Sequence, residues 1–459
     1  MAHPETESEL GGALGELLDG TVEGLRRLSG GASRETWSFA VRRRGSGGVE
    51  PLILQRIRPG LAMGGPSLAA EDALLAAAER AGVPVPHVVA DVAATAPLVG
   101  DGRVTAHVDG EALGPRIVRD ERYADARRVL AGQCGRALAA IHAIDPDEAP
   151  GLEPVDTLGR LRLGLDGLGE HRPAFELALR WLEANRPPPG PERVVHGDFR
   201  LGNLLVDETG LRAVLDWELA HLGDPLEDLG WLCVRAWRFG GTGEVGGIAP
   251  LGDLLDAYSD ATGAPVDPDA VRWWIVAGTL TWGLICAVQA HRHLDGHVRS
   301  VELATIGRRV CENEYDLLQL LGVPAPAAGA EPAAPEPSGR VEPPGLHGRP
   351  TAAELVDAVR GHLTDTVAPQ LTGASAFHLK VAGNALAIVE RELRLGPAMA
   401  AAADQRLATL GFVDEAALAA AIRAGHLDGQ ADVAATVRAL VVDRVRVANP
   451  RWLEAPDQP

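Results

Sequence analysis

Positive charge is scarce in this chain: 63 acidic residues face 43 basic ones, only one of which, Lys380, is a lysine, and the formal net charge is -20 over 459 residues. Nucleic acid and anionic membrane surfaces both demand clustered cationic side chains, so neither is expected as a partner. Cysteine is scarce too. Cys134, Cys233, Cys286 and Cys311 show no CxxC pairing, which argues against a disulfide framework or a zinc ribbon and fits reduced, mostly buried thiols of a cytoplasmic protein. The opening "MAHPETESEL" lacks the basic and apolar stretches of a secretory signal. Only one run approaches membrane-spanning length, "WWIVAGTLTWGLICAVQA" at 273–290, and its glycines, threonines and Gln289 read as a buried helix. There is no internal repeat.

What is present is a 46% hydrophobic chain, long enough for two or three domains that each bury a core. Beyond residue 350 there are thirteen acidic and ten basic residues, so -17 of the net charge lies in the first 350. General attraction there favours a cation or a metal-neutralised anion. Residues 322–350 are crowded with Pro, Ala and Gly without apolar periodicity and read as an extended tether. Before it, "ETWSFAVRRRGSGGVEPLILQRI" alternates apolar and polar residues around Gly45, Ser46, Gly47 and Gly48, a hairpin pattern. Ser67 is placed to cap a helix that ends at Gly82 and Pro84. From Tyr123 onward the periods are helical, interrupted by the brief strands "RVV", "NLLVD" and "RAVLDW". After the tether, helical patterns over 352–367, 374–395, 413–424 and 433–447 read as a small antiparallel bundle. A chain ending near Gly322 is therefore expected to fold alone.

The chemistry concentrates in "VVHGDFRLGNLLVDETGLRAVLDWE", residues 194–218. Moving a phosphoryl group from ATP to a hydroxyl needs a carboxylate to orient and accept the hydroxyl proton, and oxygen ligands for Mg2+ bridging the phosphates. Asp198, Asn203 and Asp216 are the right types, and "HGDFRLGN" repeats the His, Asp and Asn of a kinase catalytic loop at the same intervals. His196 reads as a buttress. Turns use Asp, Asn and Gly as well, but they do not require a His in this register beside two apolar strands. In "GDPLEDLGW", Asp224 before Pro225 reads as a helix start, and Asp228 as an anchor for the loop.

With "ALAAIHAID" and "AGVPVP" added, these motifs resemble the aminoglycoside phosphotransferase family, kin to choline kinases and protein kinases, and within it the branch associated with acyl-CoA dehydrogenases. The resemblance runs over residues 25–321. It implies an α+β, two-lobed protein kinase-like fold followed by a small all-α bundle. The lobes would be a small β-rich nucleotide-binding one at 1–108 and a helical catalytic one at 109–321, then the linker at 322–350 and the bundle at 351–459. Asp198 is then the catalytic base, Asn203 and Asp216 are magnesium ligands, and Glu71 is the small-lobe helix glutamate. Gly30, Gly31 and Ser33 of "LSGGASRETWSF" would cover the phosphates, and Arg200 could add a phosphate contact. The closing segment, with "AFHLKVAGNALAIVERELRLG" and "VANPRWL", resembles a helical domain of unknown role found on such phosphotransferases. It offers a surface for a protein partner, while its His378, Lys380, Asn384 and Glu390 are expected to be core or interface polar groups.

One departure stands out. A kinase small lobe carries a strand lysine that contacts the α/β-phosphates and pairs with the helix glutamate. Here "LILQRI" occupies that place, with Gln55 at the lysine position and Arg56 beside it; adjacent strand residues face opposite sides, so only one can point inward. Either Gln55 or Arg56 takes the lysine's place, and Arg56 is the expected phosphate contact if the strand shifts by one. Three functions follow, in order: a kinase for a small-molecule hydroxyl, with a hydroxyacyl-CoA first among acceptors; a kinase for a cationic amino-sugar or amino alcohol; and a nucleotide-binding scaffold without phosphotransfer.

Overall fold

The computed structural model describes residues 4–28, 34–45, 48–57, 65–92, 101–324 and 348–454. The chain falls into two compact units, Met1–Val155 with Pro187–Ile275, and Asp156–Arg186 with Val276–Pro459.

The first unit opens with the helix Pro4–Leu17 and an antiparallel sheet of β1 (Gly20–Arg27), β2 (Arg34–Arg43), β3 (Val49–Ile57), β4 (Val88–Asp91) and β5 (Gly102–Ala106), in the order β1-β2-β3-β5-β4. The period of two sorts its side chains. Trp37, Phe39 and Val41 of β2, Leu52 and Leu54 of β3 and Val104 of β5 bury one face against Leu10 and Leu14 of the opening helix and Leu18 just beyond it. Thr36, Ile53, Gln55, Arg103 and Thr105 fall on the other face, which lines a cavity. The β2–β3 hairpin is present as expected, with Gly45 in the left-handed region at φ 85°. The helix Leu68–Arg80 begins where Ser67 Oγ accepts from the Ala70 amide at 3.2 Å and is followed by Gly82 at φ 83°.

Four short strands follow in this unit: β6 (Arg193–Val195) pairs with β9 (His221–Gly223), and β7 (Leu204–Asp207) with β8 (Gly210–Val214). The third expected strand stops three residues early. It ends at Val214 because Asp216 takes a left-handed backbone, φ 64°, which no strand can continue.

The second unit is helical. Among the described residues one helix, Pro268–Leu294, shared by both units, is long and apolar enough to cross a membrane; 72% of its apolar window is buried within the protein. Residues 325–347, most of the expected tether, lie outside the described residues. The helices beyond it depart from expectation in two respects. The helix predicted at 374–395 runs from Gly373 to Thr409 straight through Pro397, and its added turns place Ala403 and Leu407 against an apolar core. The second departure is a correction to the independent bundle. Leu407, Leu418, Ile422, Val433, Val437, Leu440, Val441 and Val445 share that core with Ala174, Cys311, Tyr315 and Leu318, which precede the tether. Polar ties repeat the pattern: Asn449 Nδ2 donates to Glu312 Oε1 at 2.9 Å, Trp452 Nε1 to Asp316 Oδ1 at 2.9 Å, and Arg423 Nη1 lies 2.7 Å from Asp166 Oδ1. The segment at 351–454 thus completes a core begun elsewhere in the chain. His378, Lys380 and Asn384 are exposed rather than core groups, while Glu390 pairs with Arg394 at 2.9 Å and Arg360 at 3.4 Å.

Candidate active site

The loop from His196 to Asn203 connects β6 to β7, and a buried carboxylate pins its start. Asp228, fully buried in the helix Leu226–Cys233, accepts from the backbone amides of His196 at 2.8 Å and Gly197 at 2.9 Å and from His142 Nε2 at 3.1 Å. His142 Nδ1 in turn meets the Tyr258 hydroxyl at 2.8 Å. Burial alone would push the Asp228 carboxyl up; His142 and the loop donors hold it below the usual carboxylate range. Gly197, at φ 79°, could not carry a side chain here, because a Cβ would lie 2.4 Å from the Leu219 carbonyl oxygen. The helix start expected at Asp224 forms one residue later, with Asp224 Oδ1 accepting from the Leu226 amide at 2.9 Å.

His196 is buried between Phe199 and Trp217, with ring centroids at 5.8 and 4.6 Å. Its Nδ1 accepts from the Asp198 amide at 3.2 Å and its Nε2 donates to the Leu215 carbonyl at 3.1 Å, the tautomer this network assigns. Burial lowers its pKa, so the ring stays neutral and buttresses the loop. Asp198 then receives donors on both oxygens. Arg200 Nε at 2.9 Å and Trp231 Nε1 at 2.8 Å donate to Oδ1, and Asn203 Nδ2 to Oδ2 at 2.6 Å. Arg200 also lies over the Trp237 ring, 4.8 Å from its centroid. The guanidinium expected at a phosphate is therefore an Asp198 partner in this arrangement. Trp231 was not legible as a site residue, although its place one turn after Asp228 is the signal that could have found it.

Asp216 follows β8, in reach of like charges. Desolvation, then Glu218 and Asp198, push its carboxyl up to about 7, while Arg34 and Arg200 oppose the shift. A divalent cation would offset charge at a carboxylate in these surroundings, and the amide oxygen of Asn203, whose nitrogen donates to Asp198, is a further oxygen donor nearby in the loop. These are hard oxygen donors of the kind Mg2+ takes. Among the described residues no group of three His, Cys, Asp or Glu side chains gathers as a metal centre, so protein ligands alone would leave coordination positions to phosphate and water.

Facing this lies a cavity of about 260 Å³. Leu28, Ile53 and Leu75 with Leu205 and Val214 give it apolar walls, Ala106, His107 and Val108 also line it, and Arg34, Gln55, Glu71, Arg103 and Asp216 mark its polar end. Such a slot suits a purine with its phosphates directed at the charged end. Glu71 is buried at 2% exposure, but Arg56 is not its partner. Arg56 sits on the opposite face of β3, its Nε 2.7 Å from Glu35 Oε2 and its guanidinium 5.7 Å from the Trp37 ring centroid. The alternation of β3 decides this, since Leu54 and Arg56 share the face buried against the opening helix and Gln55 takes the cavity face. Glu71 pairs instead with Arg34 and, at 2.6 Å, with Arg103. Gly30, Gly31 and Ser33 lie outside the described residues.

Residues 24–274 match the family described as "Phosphotransferase enzyme family", and residues 369–452 a domain described only as of unknown function. Curated relatives match in shorter stretches. Mouse acyl-CoA dehydrogenase family member 10 is 44% identical over 64 residues, 14% of this chain and 6% of that protein; mouse family member 11 is 34% identical over 113 residues, 22% and 14% respectively. The Arabidopsis protein described as probable acyl-CoA dehydrogenase IBR3 is 27% identical over 170 residues, 30% of this chain and 20% of its own. The chain thus spans a fifth or less of each of these relatives. A crystal structure from Ralstonia eutropha, assigned to the aminoglycoside phosphotransferases, superposes with a TM-score of 0.53 at 21% identity, covering 67% of this chain and 95% of that one, and so shares the fold. With the two-lobed kinase-like architecture in place and the family match extending over more than half of the 459 residues, the chain belongs to the phosphotransferase enzyme family.

Proposed function

We propose that this phosphotransferase is a kinase that moves the γ-phosphoryl group of ATP to a hydroxyl of a small molecule. The observation that carries the proposal is the hydrogen-bonded pair of Asp198 and Asn203 with Asp216 nearby, Asp216 itself lining an apolar cavity whose polar end carries Arg34, Arg103 and Glu71. Asp198, fixed by Trp231, Arg200 and Asn203, orients the acceptor hydroxyl and takes its proton as the new oxygen–phosphorus bond forms and the bond to the departing ADP oxygen breaks. Asn203 and Asp216 would hold Mg2+, which when bound offsets the charge shared by the β- and γ-phosphates. Holding the reactants in line supplies most of the acceleration in this chemistry, which is why a pinned loop matters more than a perturbed base.

For the acceptor, a hydroxyacyl-CoA ranks first. What supports it is the partial similarity to proteins named as acyl-CoA dehydrogenase family members. An amino-sugar or amino alcohol ranks second, favoured by the acidic balance of the first 350 residues. The test is incubation with Mg2+, γ-labelled ATP or GTP, and parallel panels of hydroxyacyl-CoAs, amino-sugars and amino alcohols. Label transfer to a hydroxyacyl-CoA alone supports the first reading; transfer to a cationic acceptor alone replaces it with the second. Tight Mg-ATP binding with no transfer to any hydroxyl would leave a nucleotide-binding scaffold.

A further inference from the structure

The cavity's charged end contains no lysine, and the residue at the expected position is neutral. Gln55 faces the cavity with an amide, while Arg56 is committed to Glu35 on the other side of the sheet. Two tasks are therefore unassigned on β3: holding the Glu71 carboxylate, and offsetting nucleotide phosphate charge.

The strands on either side supply both. In the β3–β5 ladder Gln55 and Arg103 are direct partners, and in the β2–β3 ladder Gln55 pairs with Thr36, two residues from Arg34. Directly opposed residues project from the same face about 5 Å apart, so Arg103 stands where a β3 side chain would, displaced by one strand. Arg103 is 2% exposed, its Nη2 lies 2.6 Å from Glu71 Oε2, and its Nη1 lies 3.2 Å from Asp72 Oδ1. Arg34 takes the other Glu71 oxygen, and its Nε lies 3.4 Å from Glu218 Oε2. That links the helix Leu68–Arg80 to the segment just after Asp216. Burial works against the Arg34 charge, but Glu71, Glu218 and Asp216 raise its pKa above the ordinary guanidinium value. A guanidinium carries five N–H donors, and Glu71 with Glu218 engage only two of the three nitrogens of Arg34.

We propose that the cation missing from β3 is replaced by a divided pair: Arg103 on β5 is the positioning residue that holds Glu71, and Arg34 at the start of β2 is the catalytic residue that contacts the nucleotide phosphates. The proposal rests on the phosphotransfer reading above. A planar fork suits phosphate oxygens, and because Glu71 and Glu218 engage only two of its nitrogens, Arg34 keeps N–H donors for an anion.

Strand exchange tests it. Wild type, Arg34→Met, Arg34→Lys, Arg103→Leu, Gln55→Lys and Gln55→Lys/Arg103→Leu are compared for Mg-nucleotide affinity, kcat and nucleotide KM, with circular dichroism and thermal melting for each. Arg34→Met should raise nucleotide KM about tenfold and lower kcat on the order of a hundredfold, with Arg34→Lys recovering part of both. Arg103→Leu should lower kcat/KM on the order of thirtyfold, and adding Gln55→Lys should restore it to within about fivefold by returning the cation to β3. A folded Arg103→Leu protein that Gln55→Lys fails to rescue overturns the positioning role. Arg34→Met with kcat and nucleotide KM within about threefold of wild type overturns the phosphate role. Should Arg103→Leu be insoluble, a soluble and active double variant supports the proposal and an insoluble one overturns it. Failure of wild type to bind Mg-nucleotide or transfer phosphate is a different result, which removes the function itself.

Discussion

The two compact units each hold carboxylates away from water, in surroundings that differ. In the second unit two buried glutamates are matched by arginines: Glu314, fully buried, lies 3.4 Å from Arg172 and 3.5 Å from Arg444, and Glu176 lies 2.7 Å from Arg162. In the first, Asp216 stands beside Glu218 and Asp198, and desolvation with those like charges pushes it up to about 7. Buried charge that is fully paired is architecture; buried charge left in excess is held against the arrival of something cationic. The contrast sets a matched set of ion pairs beside a cluster of like charges.

The most drastic way to break this comparison is to cut the chain after Gly322. Ala174, Cys311, Tyr315 and Leu318 would lose the helices that cover them, and Glu314 would lose Arg444, so the truncated protein should be insoluble or melt without cooperativity. A soluble fragment with a single sharp melting transition would show that the shared core is dispensable. Next in size is Asp198→Asn, expected to lower turnover by about 10² to 10⁴ while Mg-nucleotide affinity stays within a few-fold, since the base is needed only once a hydroxyl is present. Retention of more than about a tenth of wild-type turnover would take the base role from Asp198. Glu314→Ala is the mirror experiment. It should cost about 3–5 kcal/mol in denaturant unfolding by leaving Arg172 and Arg444 without their buried partner, yet leave nucleotide KM unchanged. A shift in nucleotide KM comparable to that expected of Arg34→Met would erase the distinction.

The sequence made the loop readable because His196, Asp198 and Asn203 lie within eight residues, and a local turn fixes their mutual geometry. The sheet hairpin and the Ser67 cap were legible for the same reason. Arg103 was not, because its relation to Gln55 depends on a register between strands 48 positions apart, and Arg34 meets Glu71 across 37 positions. Alternation did say that Gln55 and Arg56 face opposite sides, but which side was inward depends on the apolar face of β2 and the opening helix. The domain boundary misled for a related reason. A Pro-rich stretch marks where the chain lacks periodic structure, and it carries no information about whether the helices beyond it pack on those before it, as Trp452 and Asp316 do.

Two smaller effects sharpen the contrast. Burial lowers the His196 pKa, so the folded chain resists a proton that the unfolded chain accepts. The stability His196 contributes is therefore full above the ordinary imidazole value of about 6.5 and is lost as pH falls below it toward the lower folded value. Melting temperature measured downward from pH 7 should fall, and His196→Asn should flatten that slope; an unchanged slope would mean another group sets it. Last, Cys134, Cys233 and Cys286 are each pushed up to about 12 by burial, and Cys311 in the same direction. Native protein should resist thiol alkylation at neutral pH and react at all four positions only after denaturation, measured by mass. Rapid labelling of Cys311 alone would show that the second unit's core opens independently of the first.

The left-handed backbone at Asp216 has an effect on which amino acids that position can accept. A φ of 64° disfavours residues with ordinary side chains and is borne most easily by Gly, Asn and Asp. Of those three, only Asp brings a negative charge. Asp216→Ala therefore alters the local geometry together with the charge, whereas Asp216→Asn removes the charge and keeps a residue at home in that conformation. The peptide geometry favours Gly, Asn and Asp at this position, and the cation-holding role proposed above would select Asp among them.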